Sequence, residues 1–446
     1  MLSYAILTLG CKVNQYEEKV ITESFSDYDF IRVAPEHEAD VYIINSCAIT
    51  SEAESKARQT AGRLKRNHPN SIIVLTGCYA TRLGQETISC VDIYINQASK
   101  YNAGAICVEA LAAMDGIAEK FRRANVKKDN ESGHERKIAP HAEGTRSRVQ
   151  IKVQDGCKNF CSYCIVPFIR NEEWSKPPET VLCEISDAFK AGFSEVVLTG
   201  IHLGKYNALD MDGKHINFEG LLKLIDLYAI ANPSVRVRLS SIDPSEITEK
   251  IVLLIKNSTA FVPHFHLPLQ SGSDKVLAAM NRKYDRKLFA EKIELICDNI
   301  DTPAITTDVI VGFPGETQED FEETFSLLSE LPFYDFHIFQ YSDRAGTRAS
   351  SMKPKVTPQE KKKRSELLHQ LKKKKNEDFY RKNIGRNARV IVEKTMISEG
   401  KTFLEGHTER YIETIFEGSR DMIDKMITVR LTGVSETHDG MTGEII

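Results

Sequence analysis

Short apolar runs alternate with longer amphipathic stretches through the first hundred residues. The runs are "SYAILTL", "DVYIIN", "SIIVLTG" and, near Asp92, "DIYIN"; "SEAESKARQTAGRLKRN" is one of the stretches between them. Apolar strands separated by helical segments predict a parallel α/β layer. Residues from about Met114 to Arg146 are polar, contain glycine and lack apolar periodicity, which marks a linker or lid. A second alternating series begins at "RVQIKV" and continues through "SEVVLTG", "VRVRLSS", "HFHLPLQ", "ITTDVIVGF" and "FHIFQYS", with helical stretches such as "PPETVLCEISDAFKAG" and "EDFEETFSLLSEL" between most of them. Six βα units in succession fit a partial or full barrel of parallel strands. Near Phe379 the pattern changes to "ARVIVEK", "TFLEGHT", "YIETIFEG" and "MITVRLTGV", strands spaced by polar turns without helices. That is the pattern of a small antiparallel β-barrel.

The expected fold class is therefore α/β with three parts. A parallel α/β sheet domain covers residues 1–113, a linker 114–145, a partial (βα)6 barrel with a basic helical connector 146–375, and the small antiparallel barrel 376–446. A chain of 446 residues suits this division.

Composition narrows the class of protein. With 41% apolar and 27% charged residues, the chain can bury sizeable cores. No apolar run reaches membrane-spanning length. "MLSYAILTLG" lacks a basic leader and a small-residue cleavage site, so it reads as a strand rather than a signal peptide. Ten cysteines are too few for a secreted disulfide scaffold of this size, so a reducing, cytoplasmic setting is expected, where clustered thiols mean metal more often than bridges. The net charge of −4 argues against a surface that coats nucleic acid generally. Yet from Thr357 to Arg386 eleven Lys or Arg stand against four Asp or Glu, and such a segment attracts a polyanion unless it is only a solvated helix.

Six of the cysteines fall into two sets. Cys11, Cys47 and Cys78 each lie one or two residues after a predicted strand, in "ILTLGC", "YIINSC" and "IVLTGC". All strand C-termini of a parallel sheet lie on one edge, where ligands bind. Three cysteines far apart in the chain thus converge in space; the bland alternative is three unrelated buried thiols. Cys157, Cys161 and Cys164 form a C-x3-C-x2-C loop just after the first barrel strand. Three thiolates bond three irons of a cubane and leave the fourth open to a non-protein ligand. A zinc site would close with a fourth Cys or His. Cys183 sits in a helical stretch and reads as core; His202 is the other candidate. Cys90, Cys107 and Cys297 have no partner spacing and read as core, and His264 and His266 read as structural or as flanking the site.

The C-x3-C-x2-C loop at the first strand end of a βα barrel resembles the radical S-adenosylmethionine enzymes. The N-terminal triplet, "HLPLQSGSDKVLAAMNRKY" and the C-terminal β domain make the chain similar to the methylthiotransferases among them, over essentially its whole length. "LGCKVNQYE" and "CSYCIVPF" look most like the MtaB-type tRNA enzymes, which methylthiolate N6-threonylcarbamoyladenosine at C2, beside the anticodon. The resemblance implies that Cys157, Cys161 and Cys164 hold a [4Fe–4S] cluster that chelates S-adenosylmethionine and generates a 5′-deoxyadenosyl radical. It implies that Cys11, Cys47 and Cys78 hold a second [4Fe–4S] cluster carrying sulfide or a methylated sulfur. It also places cofactor contacts at the barrel strand ends: Thr199 and Gly200, Arg238 and Ser240, Gln270 and Ser271, and Ile310 and Gly312 in "DVIVGFPGE", where Asp308 replaces the usual first Gly.

One segment departs from the family pattern. Where the family continues Arg-Gly-x-x-Arg-Ser-Arg, this chain has "RNEEWSK", with Asn171, Trp174 and Lys176 at the expected Gly, Arg and Arg positions. Lys for Arg loses a planar fork, and Trp174 either stacks on a base or packs. The region from about Phe379 resembles the TRAM RNA-binding domain. Implied partners are the tRNA anticodon stem-loop and an electron donor such as flavodoxin or ferredoxin; no membrane association is expected, and the chain is expected to be a monomer. Two alternatives remain: a methylthiotransferase acting on isopentenyladenosine tRNA or a ribosomal protein, and a non-catalytic RNA-binding protein with structural zinc.

Overall fold

Strands β1 (Leu2–Leu9), β2 (Phe30–Arg32), β3 (Val41–Ser46), β4 (Ile72–Gly77) and β5 (Ile93–Ile95) form an all-parallel sheet in the order β2-β1-β3-β4-β5. Helices α1 (Lys12–Glu23), α2 (Ser51–Asn67), α3 (Cys78–Leu83) and α4 (Ala103–Ala113) make the crossovers and flanks. Every residue of β3 and β4 is buried, as expected of strands covered on both faces. Tyr42, Ile44, Ile73 and Leu75 face one core, and Val41, Ile43, Ile72 and Val74 the other.

The computed structural model describes residues 2–113, 147–233, 235–398, 400–436 and 438–446. The linker expected over 114–145 lies outside the described residues. The chain divides into two units. One comprises the described residues within 1–141 with 156–158 and 164–173; the other comprises the described residues within 142–155, 159–163 and 174–446.

In the second unit, β6 (Arg148–Asp155), β8 (Glu195–Gly200) and β11 (Val237–Leu239) run parallel, with the two-residue β7 (Trp174–Ser175) antiparallel on the edge. β12 (His264–His266), β13 (Ala304–Val311) and β14 (Asp335–Gln340) form a second parallel sheet. Isolated bridges Val237–Phe261 and Ser241–His266 join the two. One face of these strands, with Val149, Ile151, Val153, Val196, Leu198, Phe265 and Val309, packs under the helices. The opposite face carries Lys152, Gln154, Thr199, Arg236, Arg238, His266 and Asp308, because side chains alternate along a strand. An antiparallel hairpin, β9 (Asn207–Leu209) and β10 (His215–Asn217), was not visible in the apolar pattern.

The C-terminal strands β15 (Asn387–Ser398), β16 (Lys401–His407), β17 (Glu413–Glu417), β18 (Met426–Val434) and β19 (Met441–Ile445) close into a barrel in the order β15-β16-β17-β19-β18. The expectation of a purely antiparallel barrel is corrected here: β17 and β19 are parallel. Five strands cannot alternate in direction around a closed ring, so one pair must run the same way. The barrel core takes in Phe379 and Tyr380 from the preceding helix, Pro358–Asn383.

Candidate functional site

Strand register places the N-terminal trio. Leu9 pairs with Ser46 and Ser46 with Gly77, so the ends of β1, β3 and β4 form one row. Cys47 and Cys78 follow that row directly, and Cys11 follows it by one more residue. Neighbouring strands lie about 5 Å apart, so the row gathers the three thiols. Cys11 is the N-cap of α1 and Cys78 opens α3. Gly77 is held at φ +89, and a Cβ there would meet the Ser46 carbonyl oxygen at 2.4 Å. Only glycine delivers Cys78 to this place.

Polar groups fix the trio. The Cys11 thiol donates to Asn14 Oδ1 at 3.2 Å, and Asn14 Nδ2 donates to the Ser46 carbonyl at 3.1 Å. The Ile49 amide donates to Cys47 Sγ at 3.4 Å. Burial pushes Cys47 up to about 12, with the nearby Cys11 and Cys78 adding to the rise. Cys11 is also raised by burial, against the lowering effects of Asn14 and Arg170. The three thiols therefore lie close enough to sense one another.

Sequence reasoning missed the charged groups beside this trio. Arg170 Nε donates to Cys78 Sγ at 3.4 Å, while its Nη1 and Nη2 donate to the two Glu17 oxygens at 2.9 and 3.0 Å. Lys100 also pairs with Glu17, and Gln97 Nε2 donates to it at 2.6 Å. The side chains of Arg170, Glu17 and Lys100 are 2%, 0% and 0% exposed. Glu17 offered a signal, as a carboxylate inside the helix that Cys11 caps.

For the second triplet, Gly156 has φ +82, and a Cβ there would meet the Glu172 carbonyl oxygen at 2.1 Å. The Cys157 amide donates to the Arg170 carbonyl at 3.2 Å. Cys161 Sγ accepts from Arg282 Nη1 at 3.3 Å, and Arg282 Nη2 donates to Asp243 Oδ2 at 2.9 Å. The Ser162 amide donates to the Met280 carbonyl at 2.9 Å. The two groups weighed as a fourth zinc ligand have protein partners. Cys183 Sγ lies 3.7 Å from Asp187 Oδ2, and His202 Nε2 lies 2.9 Å from Glu246 Oε1. A C-x3-C-x2-C loop of three thiols is the kind of ligand set that suits an iron–sulfur cluster with one iron left open.

The expected cofactor contacts separate into groups. Thr199 is buried and Gly200 half-buried at the end of β8. Ser240 Oγ is buried with no hydrogen-bond partner, the kind of orphan a bound polar ligand would satisfy. Gln270 sits at φ +69, where non-glycine residues are strained, and its main chain bonds Asp308 O at 2.8 Å and Ile310 N at 2.9 Å. Ile310 itself is half-buried. By contrast, Ser271 Oγ lies 3.2 Å from Thr324 Oγ1 and accepts from the Ser273 amide, and the Gly312 amide donates to Glu316 Oε2 at 2.6 Å. Those two positions shape the loops rather than offer free polar groups.

Arg238 is a correction. Its guanidinium is buried on Glu195, at 2.9 Å from both oxygens, and donates to the Thr408 and Glu409 carbonyls of the C-terminal barrel. It points back toward the N-terminal end of β8, so it serves packing and not a ligand at the strand C-termini. Lys176, at a family Arg position, is buried in an ion pair with Glu184. Trp174 lies under Lys152, with Nζ 5.1 Å from the ring centroid. Cys107 is core as expected, whereas Cys90 and Cys297 are half-buried. His264 is buried with its ring 5.5 Å from that of Tyr411. His266 Nε2 and His337 Nδ1 approach Asp308 at 3.2 and 3.0 Å. Burial raises the Asp308 carboxyl, but the two imidazoles outweigh it and hold it well below the usual range.

Residues 151–328 match the radical SAM superfamily, and residues 3–95 match the uncharacterized protein family UPF0004. The fold agrees with solved radical SAM proteins: the methyltransferase TsrM from Kitasatospora setae superposes with a TM-score of 0.54 at 13% identity, over 76% of this chain and 73% of that one. The parallel sheet and its cysteine loop thus define a radical SAM protein, a class that uses S-adenosylmethionine and a [4Fe–4S] cluster. Full-length relatives are more specific. The threonylcarbamoyladenosine tRNA methylthiotransferase MtaB of Bacillus subtilis is 34% identical over 97% of this chain and 94% of the relative. The MtaB of Aquifex aeolicus is 35% identical over 96% and 100%. The tRNA-2-methylthio-N(6)-dimethylallyladenosine synthase of Endomicrobium trichonymphae is 32% identical over 96% and 97%. The chain belongs to the radical SAM tRNA methylthiotransferases and is an enzyme of that kind.

Proposed function

We propose that this enzyme inserts a methylthio group at C2 of N6-threonylcarbamoyladenosine, next to the tRNA anticodon, using two [4Fe–4S] clusters. The observation that carries the choice of base is the set of relatives. Those of Bacillus subtilis, Aquifex aeolicus, Chlamydia pneumoniae and Thermotoga maritima all carry the threonylcarbamoyladenosine name, at 33–35% identity over 96–100% of this chain. The dimethylallyladenosine synthases stand at 30–32%.

In this reading Cys157, Cys161 and Cys164 hold the cluster that binds S-adenosylmethionine, in a partial (βα)6 barrel, and Cys11, Cys47 and Cys78 hold the other. The cofactors supply the radical and the sulfur needed to replace an unactivated aromatic hydrogen. The chain holds and shields them. Asn14 orients Cys11, Gly77 and Gly156 permit the tight turns before Cys78 and Cys157, and Arg282 donates to Cys161. Thr199, Gly200, Ser240, Gln270 and Ile310 remain the candidates for contacts to S-adenosylmethionine. The closed C-terminal barrel acts as a TRAM domain and, with the helix before it, takes the anticodon stem-loop. A flavodoxin or ferredoxin donor, a cytoplasmic location and a monomeric state complete the proposal. Among the described residues no helix is long and apolar enough to cross a membrane.

Mass spectrometry of tRNA nucleosides from strains with and without the gene tests the reaction. The methylthio derivative of threonylcarbamoyladenosine should vanish on deletion, its unmodified parent should accumulate, and the wild-type gene but not C11A or C157A should restore it. Loss of the isopentenyladenosine derivative, or of a ribosomal-protein modification, with the threonylcarbamoyl product intact would replace this reading.

A further inference from the structure

Arg170 touches one member of each cysteine triplet through different parts of itself. Its guanidinium Nε lies 3.4 Å from Cys78 Sγ, and its carbonyl accepts the Cys157 amide at 3.2 Å. The guanidinium is 2% exposed and locked by the two-pronged pair with Glu17, which is itself shared with Lys100. Arg170 Nε–H points at the Cys78 sulfur, which as a thiolate ligand would be an anion at hydrogen-bond distance from a fixed buried cation.

The sign of the effect follows from electrostatics. An iron–sulfur group on three thiolates becomes more negative when it accepts an electron. A fixed buried cation at hydrogen-bond distance from one of its sulfurs favours that form, and a fixed buried anion opposes it. Hydrogen bonds to the sulfurs and net local charge set the potentials of such groups. Burial leaves little water to screen either charge.

We propose that Arg170, positioned by Glu17, raises the reduction potential of the iron–sulfur group on Cys11, Cys47 and Cys78, while its main chain fixes the Cys157 end of the other triplet. Arg170 is a positioning residue for the reaction. This inference rests on the two-cluster reading above, and its test separates the two. The full chain carrying C157A, C161A and C164A retains only the N-terminal triplet and is reconstituted anaerobically. Its reduction is then followed by electron paramagnetic resonance in a redox titration.

Adding R170Q should lower the midpoint potential, and adding E17Q should raise it. Each shift should be at least tenfold in the reduced-to-oxidised ratio at fixed potential, which is 59 mV for one electron. R170K, which keeps the charge, should recover most of the loss. A residue that merely supported the fold would move both variants in the same direction or neither. Unchanged potentials, or shifts of one sign in R170Q and E17Q, overturn the proposal while leaving the two-cluster reading intact. Should R170Q not retain iron, E17Q decides alone: a rise supports the assignment, and a fall or no change overturns it. If the triple-cysteine chain takes up no iron at all, the two-cluster reading fails and the inference with it.

Discussion

Glu195 shows how a single buried carboxylate organises the polar face of the central sheet. Arg236 Nε and Arg238 Nε reach it at 2.6 and 2.9 Å, and Arg148 Nε at 3.3 Å. Burial opposes its ionisation, yet Arg238 and Arg236 outweigh that effect and hold its carboxyl at about 2. A carboxyl depressed from about 4.3 in the unfolded chain contributes stability that is complete above that value and is lost as pH falls toward 2. E195Q strands two buried guanidinium groups and should destabilise the protein by about 3–5 kcal/mol at pH 7. Its loss of stability on acidification below pH 4.5 should be shallower than that of the wild type. Anaerobic urea titrations at pH 7 and at mildly acidic pH measure both; equal stability of the two proteins would refute the account of this cluster. At the first triplet, G77A forces a Cβ to 2.4 Å from the Ser46 carbonyl. It should cost at least roughly 1–3 kcal/mol and lower iron retention at Cys78, read by iron content after reconstitution.

The same residues show what could be read from sequence. The two cysteine triplets stood out as candidates because thiols are rare and their places relative to apolar runs repeat. Arg238 was misread because strand alternation puts it on the polar face, while nothing local says that Thr408 and Glu409 cover that end. Arg170 and Glu17 pair across 153 residues, and no local pattern couples them.

Long apolar strands and amphipathic helices were predictable as elements. The short strands β2, β7, β9, β10 and β19 were not, since "FIR", "WS", "NAL", "HIN" and "MTGEI" carry too few positions to show a period. The basic helix Pro358–Asn383 divides its charges in a way composition could not show. Arg364 is buried on Glu316 at 2.6 Å, Lys372 pairs with Asp335 at 2.8 Å, and Lys375 donates to the Leu331 carbonyl at 2.7 Å. Lys362, Lys363, Lys373, Lys374, Arg381 and Lys382 are exposed. Those six are the exposed cations of this helix, and the proposed anticodon stem-loop footprint draws on them. Replacing Lys362, Lys363, Lys373 and Lys374 by Gln should weaken binding of an anticodon stem-loop. It should also lower the slope of log affinity against log salt by roughly 3, at about 0.7–0.9 per phosphate contact. Fluorescence anisotropy across a salt series reads the slope, and an unchanged slope would move the RNA footprint elsewhere.

At the scale of the whole chain, two α/β layers each present a cysteine triplet at strand C-termini, where parallel sheets bind ligands. In the N-terminal sheet the three thiols stand on three adjacent strands, β1, β3 and β4. In the other, one loop after β6 carries all three. The proposed function assigns one cluster to each triplet. Quantifying iron and acid-labile sulfide per chain after anaerobic reconstitution tests this division most directly. The wild type should hold about eight of each, and removing either triplet, by C11A/C47A/C78A or by C157A/C161A/C164A, should leave about four, as expected for separate four-iron clusters. A wild-type value near four that C11A/C47A/C78A leaves unchanged would contradict it.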